Sequence, residues 1–254
     1  MNESKTKTVV ILGMHRSGTS MIGGVLARLG INMGESFRDT RIVSNPLGFY
    51  EDTDFLNLNK EILYEAGGSW ENPPKIEQIM SQQDKFKNKI QELFSNKTQF
   101  WGWKDPRTSL TIRLFLPFLS NPYFIVCYRD PNEVAKSLYK RSRMRYEEAI
   151  KLGNFYKTEI ENFFKDFPEL KKIRLNYHQI ISNPRESIDN ITKFLDIEVS
   201  KTQYEDAMHF ILPKVKKNKI KRKMLTTHLI KRGLKNPWRI PKYILKNLRK
   251  LLQK

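Results

Sequence analysis

Val9-Val10-Ile11-Leu12-Gly13-Met14-His15-Arg16-Ser17-Gly18-Thr19-Ser20 is the stretch from which the rest of the chain can be read. A β-branched and aliphatic run stops at a loop bracketed by two glycines. Met21, Ile22, Val25, Leu26 and Leu29 then recur at helical spacing. Strand, glycine loop and helix in this order form an anion cradle. Loop amides and the first unpaired N–H groups of the helix converge on one spot, and the helix dipole adds positive potential there. Gly13 and Gly18 let the backbone turn and come close to a phosphate. Against the pattern G-x-x-x-x-G-K-[ST], the glycines and Ser20 fit, but Thr19 stands where the lysine belongs. The formal cation inside the loop is Arg16. A kinase or NTPase built this way has lost the group that reaches the β/γ-phosphates. A donor with no γ-phosphate does not need it. The plainer alternative is a tight glycine turn in an ordinary α/β domain.

Further along, Asn45-Pro46-Leu47-Gly48-Phe49-Tyr50-Glu51-Asp52 turns into a helical pattern at Phe55, Leu56, Leu58, Ile62 and Leu63. Glu51 and Asp52 have two readings: favourable charges in a first helical turn, or a carboxylate facing the cradle as general base. Gly67 to Pro74 reads as a surface loop, on which Trp70 either stacks on a ring-shaped acceptor or covers the core edge. One polar helix is predicted from about Pro74 to Phe94. A strand Gln99–Trp103 runs into Lys104-Asp105-Pro106-Arg107, either a site at a strand's carboxyl end or a salt-bridged strand end.

Tyr123–Tyr128 is apolar throughout, as buried parallel strands are. It leads into Arg129-Asp130-Pro131 and a helix carrying Val134, Ala135, Leu138 and Tyr139. Arg129 and Ser137 can converge on one anion. A longer helical region runs on to Phe167, Ile173–Tyr177 is another strand, and Asn183-Pro184 opens a last helix. Alternating strands and helices predict a three-layer α/β/α sandwich with a mainly parallel sheet.

Composition narrows the class. The chain has 254 residues, enough for one sizeable core, and no run near the ~20 apolar residues of a membrane span. Polar residues lead straight into the first strand, so no secretory signal is expected. The lone Cys127 excludes a disulfide framework and fits a reducing compartment, and the four histidines show no metal-ligand spacing. The net charge of +19 is local: Lys214 to Lys254 holds 16 Lys and Arg and no acid, against 30 basic and 27 acidic groups elsewhere.

The glycine loop, Lys104-Asp105-Pro106-Arg107, and Tyr128-Arg129-Asp130-Pro131 with Ser137 eight residues after the arginine together resemble sulfotransferases. These use 3′-phosphoadenosine 5′-phosphosulfate (PAPS), release PAP, and share the P-loop NTPase-like fold. Leu175 to His178 and Asn183 to Ile197 resemble the family's closing strand and helix. The likeness covers about residues 8 to 200. It implies that Arg16, Ser17, Gly18, Thr19 and Ser20 grip the 5′-phosphosulfate while Arg129 and Ser137 hold the 3′-phosphate. Many cytosolic members carry lysine at the place of Arg16, and nothing here matches their late R-K-G-x-x-G-D segment. Arg141 and Arg143 are candidates to complete the 3′-phosphate site.

Sulfuryl transfer gathers negative charge on the departing phosphate oxygen, so placed cations are the main device. Arg16 and Lys104 are the candidates, with Glu51 as base and Asp105, Asp52 and His15 behind it. No metal is required. The expectation is a PAPS-dependent sulfotransferase, residues 1–213, acting on a saccharide or glycolipid hydroxyl in the cytoplasm. A nucleotide kinase or NTPase, or a non-catalytic adenylate-binding protein, are the alternatives. Residues 214–254 form a basic tail whose Ile244, Leu245, Leu248, Leu251 and Leu252 make one helical stripe, opposite Lys242, Lys246, Arg249 and Lys250. That pattern suits an anionic membrane surface at the inner face. Packing on the body, or binding nucleic acid or an anionic glycan, are the competing readings; nucleic acid is the less expected partner.

Overall fold

Among the described residues, four strands pair in parallel in the order β2-β1-β3-β4. They are β1 Lys7–Leu12, β2 Phe100–Lys104, β3 Pro122–Tyr128 and β4 Lys171–Asn176. The computed structural model describes residues 7–34, 48–95, 97 and 100–211, which belong to one compact unit. The basic tail, the segment 35–47 and Gln99 lie outside the described residues, so the expected amphipathic helix of the tail does too.

β1 and β3 are apolar on both faces because helices cover both. Val10, Leu12, Phe124 and Val126 turn to one large core. That core is completed by α2 (Thr53–Glu65), α4 (Gln83–Phe94), α5 (Thr108–Phe115), α6 (Pro131–Ser142) and α7 (Tyr146–Asp166). Alternation sends the buried Val9, Ile11 and Ile125 to the opposite face. There α1 (Thr19–Arg28) packs on α10 (Lys201–Phe210), and α10 on α9 (Pro184–Leu195). This is the three-layer α/β sandwich that the sequence predicts.

Strand order positions the site. From β1 the chain moves to β2 on one side, then returns across to β3 on the other. Ligands of open α/β sheets lie beyond the carboxyl ends of the strands at such a reversal. The glycine loop follows β1 and Arg129 follows β3, so both sit there.

Several boundaries differ from expectation. The polar helix is two, α3 (Ile76–Met80) and α4, parted at Ser81 and Gln82, where the Gln82 N–H bonds the Ile79 carbonyl in a tighter turn. The helical region after Pro131 breaks at Arg143, whose φ of 62° ends α6. Of the residues that α6 carries, Val134, Ala135 and Leu138 are buried and Tyr139 is half exposed. Tyr177 begins α8 (Tyr177–Ser182) instead of ending β4, since the Asn176 side chain accepts from the His178 N–H and caps that helix.

Candidate active site

The cradle is tight where its glycines stand. Gly13 has φ +147°, and a Cβ there would lie 2.7 Å from the Cys127 carbonyl oxygen and 2.8 Å from Ser17 Oγ. Its N–H donates to Ser109 Oγ at 2.9 Å, tying the loop to α5. Gly18, at φ +102°, caps α1 with no side-chain bond, and the amides of Thr19 and Ser20 lie ahead of the first carbonyl that an intrahelical bond could use. A Cβ on Gly18 would meet the Tyr177 ring at 2.8 Å. Ser17 and Thr19 are buried, and the Ser17 hydroxyl donates to the Met14 carbonyl at 2.6 Å. Arg16 holds φ +73° without being glycine, a conformation costing roughly 1–3 kcal/mol.

Arg16 also joins residues the sequence keeps far apart. Its Nε donates to Ser137 Oγ at 2.9 Å, and Arg129 Nη1 donates to its carbonyl oxygen at 3.1 Å. The family resemblance implies Arg16 at one end of a nucleotide and Arg129 with Ser137 at the other; here Arg16 bridges to both. Arg129 also pairs through Nε with Glu133 at 3.0 Å and lies 4.2 Å above the Tyr177 ring. Burial, then Arg141 and Arg129, push the Arg16 guanidinium down to about 10. Of the two further arginines expected near this end, Arg141 is close enough to act on Arg16. Arg143 lies against Tyr139 at the end of α6. Neighbouring cations under mutual repulsion fit a ligand with more than one phosphate.

One strand over, charge is arranged in pairs. The register Ile11↔Lys104 brings the end of β2 beside the cradle. Lys104 is fully buried, and its Nζ donates to Glu51 Oε1 at 2.7 Å and to Ser20 Oγ at 3.2 Å. The two readings of the acidic pair therefore divide: Asp52 caps α2 by accepting from the Asp54 N–H, while Glu51 faces Lys104. The Lys104-to-Arg107 motif divides as well. Asp105 accepts from Arg107 Nη1 at 2.8 Å and from Asn59 Nδ2 at 3.0 Å, which makes it a knot between β2, α2 and α5. Burial above all pushes its carboxyl up.

His15 is the remaining candidate base. Its ring packs on Trp70 at 4.1 Å between centroids and meets the edge of Tyr156 at 6.5 Å. Burial first, then Arg107, Lys104, Arg141 and Arg16, hold it well below the usual histidine range, so it is neutral at pH 7. Trp70, the aromatic of the predicted surface loop, is half buried over this ring. Tyr177 and Tyr50 were not anticipated in the site. The signal for Tyr177 is an aromatic directly after a strand's carboxyl end; Tyr50 left none. Among the described residues no group of three or more His, Cys, Asp or Glu could hold a metal ion.

The sulfotransferase domain family model matches residues 6–253 of the chain. No curated protein matches it. Among solved structures it is similar to the sulfotransferase domain of the Synechococcus PCC 7002 olefin synthase, at 16% identity and a TM-score of 0.52 over 78% of this chain and 76% of that one. The sulfotransferase domain from the curacin biosynthetic pathway shares 16% identity at 0.47, covering 77% and 75%. Sulfotransferase STF1 of Mycobacterium tuberculosis H37Rv shares 12% at 0.47, covering 81% and 71%.

Proposed function

The chain belongs to the sulfotransferase family, enzymes that take a sulfuryl group from PAPS and release PAP, and we propose that it delivers that group to a hydroxyl of a saccharide or glycolipid. The observation that carries the assignment of roles is the buried Lys104–Glu51 pair, 2.7 Å apart and in contact with Ser20 in the first turn of α1. A cation and a carboxylate there meet both needs of the reaction. The S–O bond to phosphate breaks and leaves charge on oxygen; the S–O bond to the acceptor forms and releases a proton.

Lys104 and Arg16 neutralise the charge on the departing oxygen, an effect typically worth ~3–4 kcal/mol for one removed donor. Glu51 takes the hydroxyl proton, and Lys104 keeps its carboxylate turned toward the cradle. Ser17, Gly18, Thr19 and Ser20 supply amides and hydroxyls at the 5′ end, and Arg129 with Ser137 grips the 3′-phosphate. The cradle fits this ligand: its glycines leave no room for a side chain, and Arg16 stands among other guanidiniums.

A saccharide acceptor is supported by the aromatic loop at residues 67–74, whose Trp70 borders the site over His15. The catalytic unit is residues 1–213, in the cytoplasm, and the basic tail 214–254 holds it at the inner membrane face. Labelled sulfate from PAPS, offered to a panel of glycans, glycolipids, phenols and aliphatic alcohols, tests the acceptor. Label on sugar hydroxyls is expected; transfer confined to phenols or simple alcohols contradicts it. Flotation with anionic liposomes, with and without residues 214–254, tests the tail. Equal flotation of both forms ends the membrane reading.

A further inference from the structure

Tyr50 is a tyrosine in backbone that favours glycine, at φ +52°. Its ring lies in a notch on α1 formed by Gly23 and Gly24. A Cβ on Gly23 would sit 3.0 Å from Tyr50 Cβ, and one on Gly24 would sit 2.9 Å from Tyr50 Cε2. The same Cβ on Gly24 would fall 2.1 Å from Phe210 Cε1. Two consecutive glycines weaken a helix interior, and neither has the positive φ that would require glycine. The room they leave is their use.

Phe210, the last residue of α10, closes the notch, its ring edge-on to Tyr50 at 5.7 Å and 86°. Arg28 locks the assembly. Its Nη1 donates to the Gly24 carbonyl at 2.9 Å and to Tyr50 Oη at 3.0 Å, and its guanidinium lies 3.9 Å above the Phe210 ring. The residue after Tyr50 is Glu51, whose carboxylate meets Lys104. Gly23 serves that end too, since its Cβ would stand 3.8 Å from Lys104 Cβ.

We propose that the Gly23–Gly24 notch, Arg28 and Phe210 form a positioning device that fixes Tyr50 in the left-handed backbone and so aims Glu51 at Lys104 and the start of α1. The inference rests on Glu51 as the proton acceptor. Tyr50 and Arg28 are positioning residues: the notch holds the backbone, and the backbone holds the carboxylate.

The test uses the full chain. Tyr50→Phe keeps the ring and loses the bond to Arg28; kcat is expected to fall three- to ten-fold while KM for PAPS and the Kd for PAP stay within two-fold. Amide hydrogen exchange at residues 48–52 is expected to quicken in the same variant without PAPS. Arg28→Met reproduces both changes, and Arg28→Lys, which still donates, restores most of kcat. Phe210→Leu, milder, loosens the same segment. Wild-type kcat and exchange in Tyr50→Phe and Arg28→Met overturn the device. Glu51→Gln, run alongside, separates the two levels. An inactive Glu51→Gln with unchanged Tyr50 and Arg28 variants removes only the device. A fully active Glu51→Gln removes the base and the device together.

Discussion

Two groups of charge flank the cradle, and they are built on opposite principles. On the β3 side Arg16, Arg129 and Arg141 crowd together, with Glu133 the carboxylate that meets Arg129 and itself shared with His178 at 2.8 Å. On the β2 side buried charges stand in opposite pairs, Lys104 with Glu51 and Arg107 with Asp105. Repelling cations store the cost of their own assembly until an anion arrives. Closed pairs are complete before any ligand enters, and so can hold a proton acceptor in place. On the proposed roles, the 3′-phosphate falls to the β3 side and the proton to the β2 side, with Arg16 serving both binding and transfer.

The largest effect is expected on the paired side. Lys104→Met leaves Glu51 buried and alone, which costs about 3–5 kcal/mol of stability, and turnover is lost with it. Thermal unfolding and kcat read the two losses. Adding Glu51→Leu to that variant is expected to recover stability without activity, because an apolar pair can replace a buried ion pair. If single and double variants melt alike, the side is not a closed pair. Glu51→Gln is the next step: kcat falls roughly 10²–10⁴-fold while affinity for PAP holds. Wild-type turnover there moves the base elsewhere.

On the cation side the expected change is in binding. Arg129→Ala weakens PAP by roughly ten- to a hundred-fold, equivalent to about 1.4–2.8 kcal/mol, and 5′-AMP far less. Equal losses in calorimetry show that the arginine does not read the 3′-phosphate. The smallest effect belongs to His15, which lies within reach of both groups. Its folded state resists protonation, so an unfolded chain takes up the proton first as pH falls below about 6.5. The stability it contributes is present above that pH and is lost on acidification by up to ~1.4 kcal/mol per unit. His15→Asn is expected to flatten that slope in denaturant titrations between pH 6.5 and 5; an unchanged slope assigns it to other groups.

The sequence and the structure agree most closely where the deciding contacts are local. The strand, the glycine turn and α1 follow one another within 22 residues, and Gly13 and Gly18 are each required by their backbone angle, so the cradle is readable from the sequence. Arg129-Asp130-Pro131 was readable for the same reason: Asp130 accepts from the Asn132 and Glu133 amides, and Pro131 starts the helix. The hydrogen bond from Arg16 to Ser137 spans 121 positions and had no local sign. Nor could spacing tell Glu51 from Asp52, since both suit a helix start and only the fold brings Lys104 to one of them. Helix α10 carries no such sign in the sequence. It buries Ala207 and Phe210, too thin a stripe to register as periodic, and its importance lies in what Phe210 does to Gly24 on another helix.

A crystal structure with PAP bound tests the division of labour most directly. The 5′-phosphate is expected on the amides of residues 16–20 with Lys104 Nζ beside it, and the 3′-phosphate on Arg129 and Ser137. A nucleotide whose phosphates both lie on the Lys104 side, or whose 3′-phosphate avoids Arg129, contradicts it.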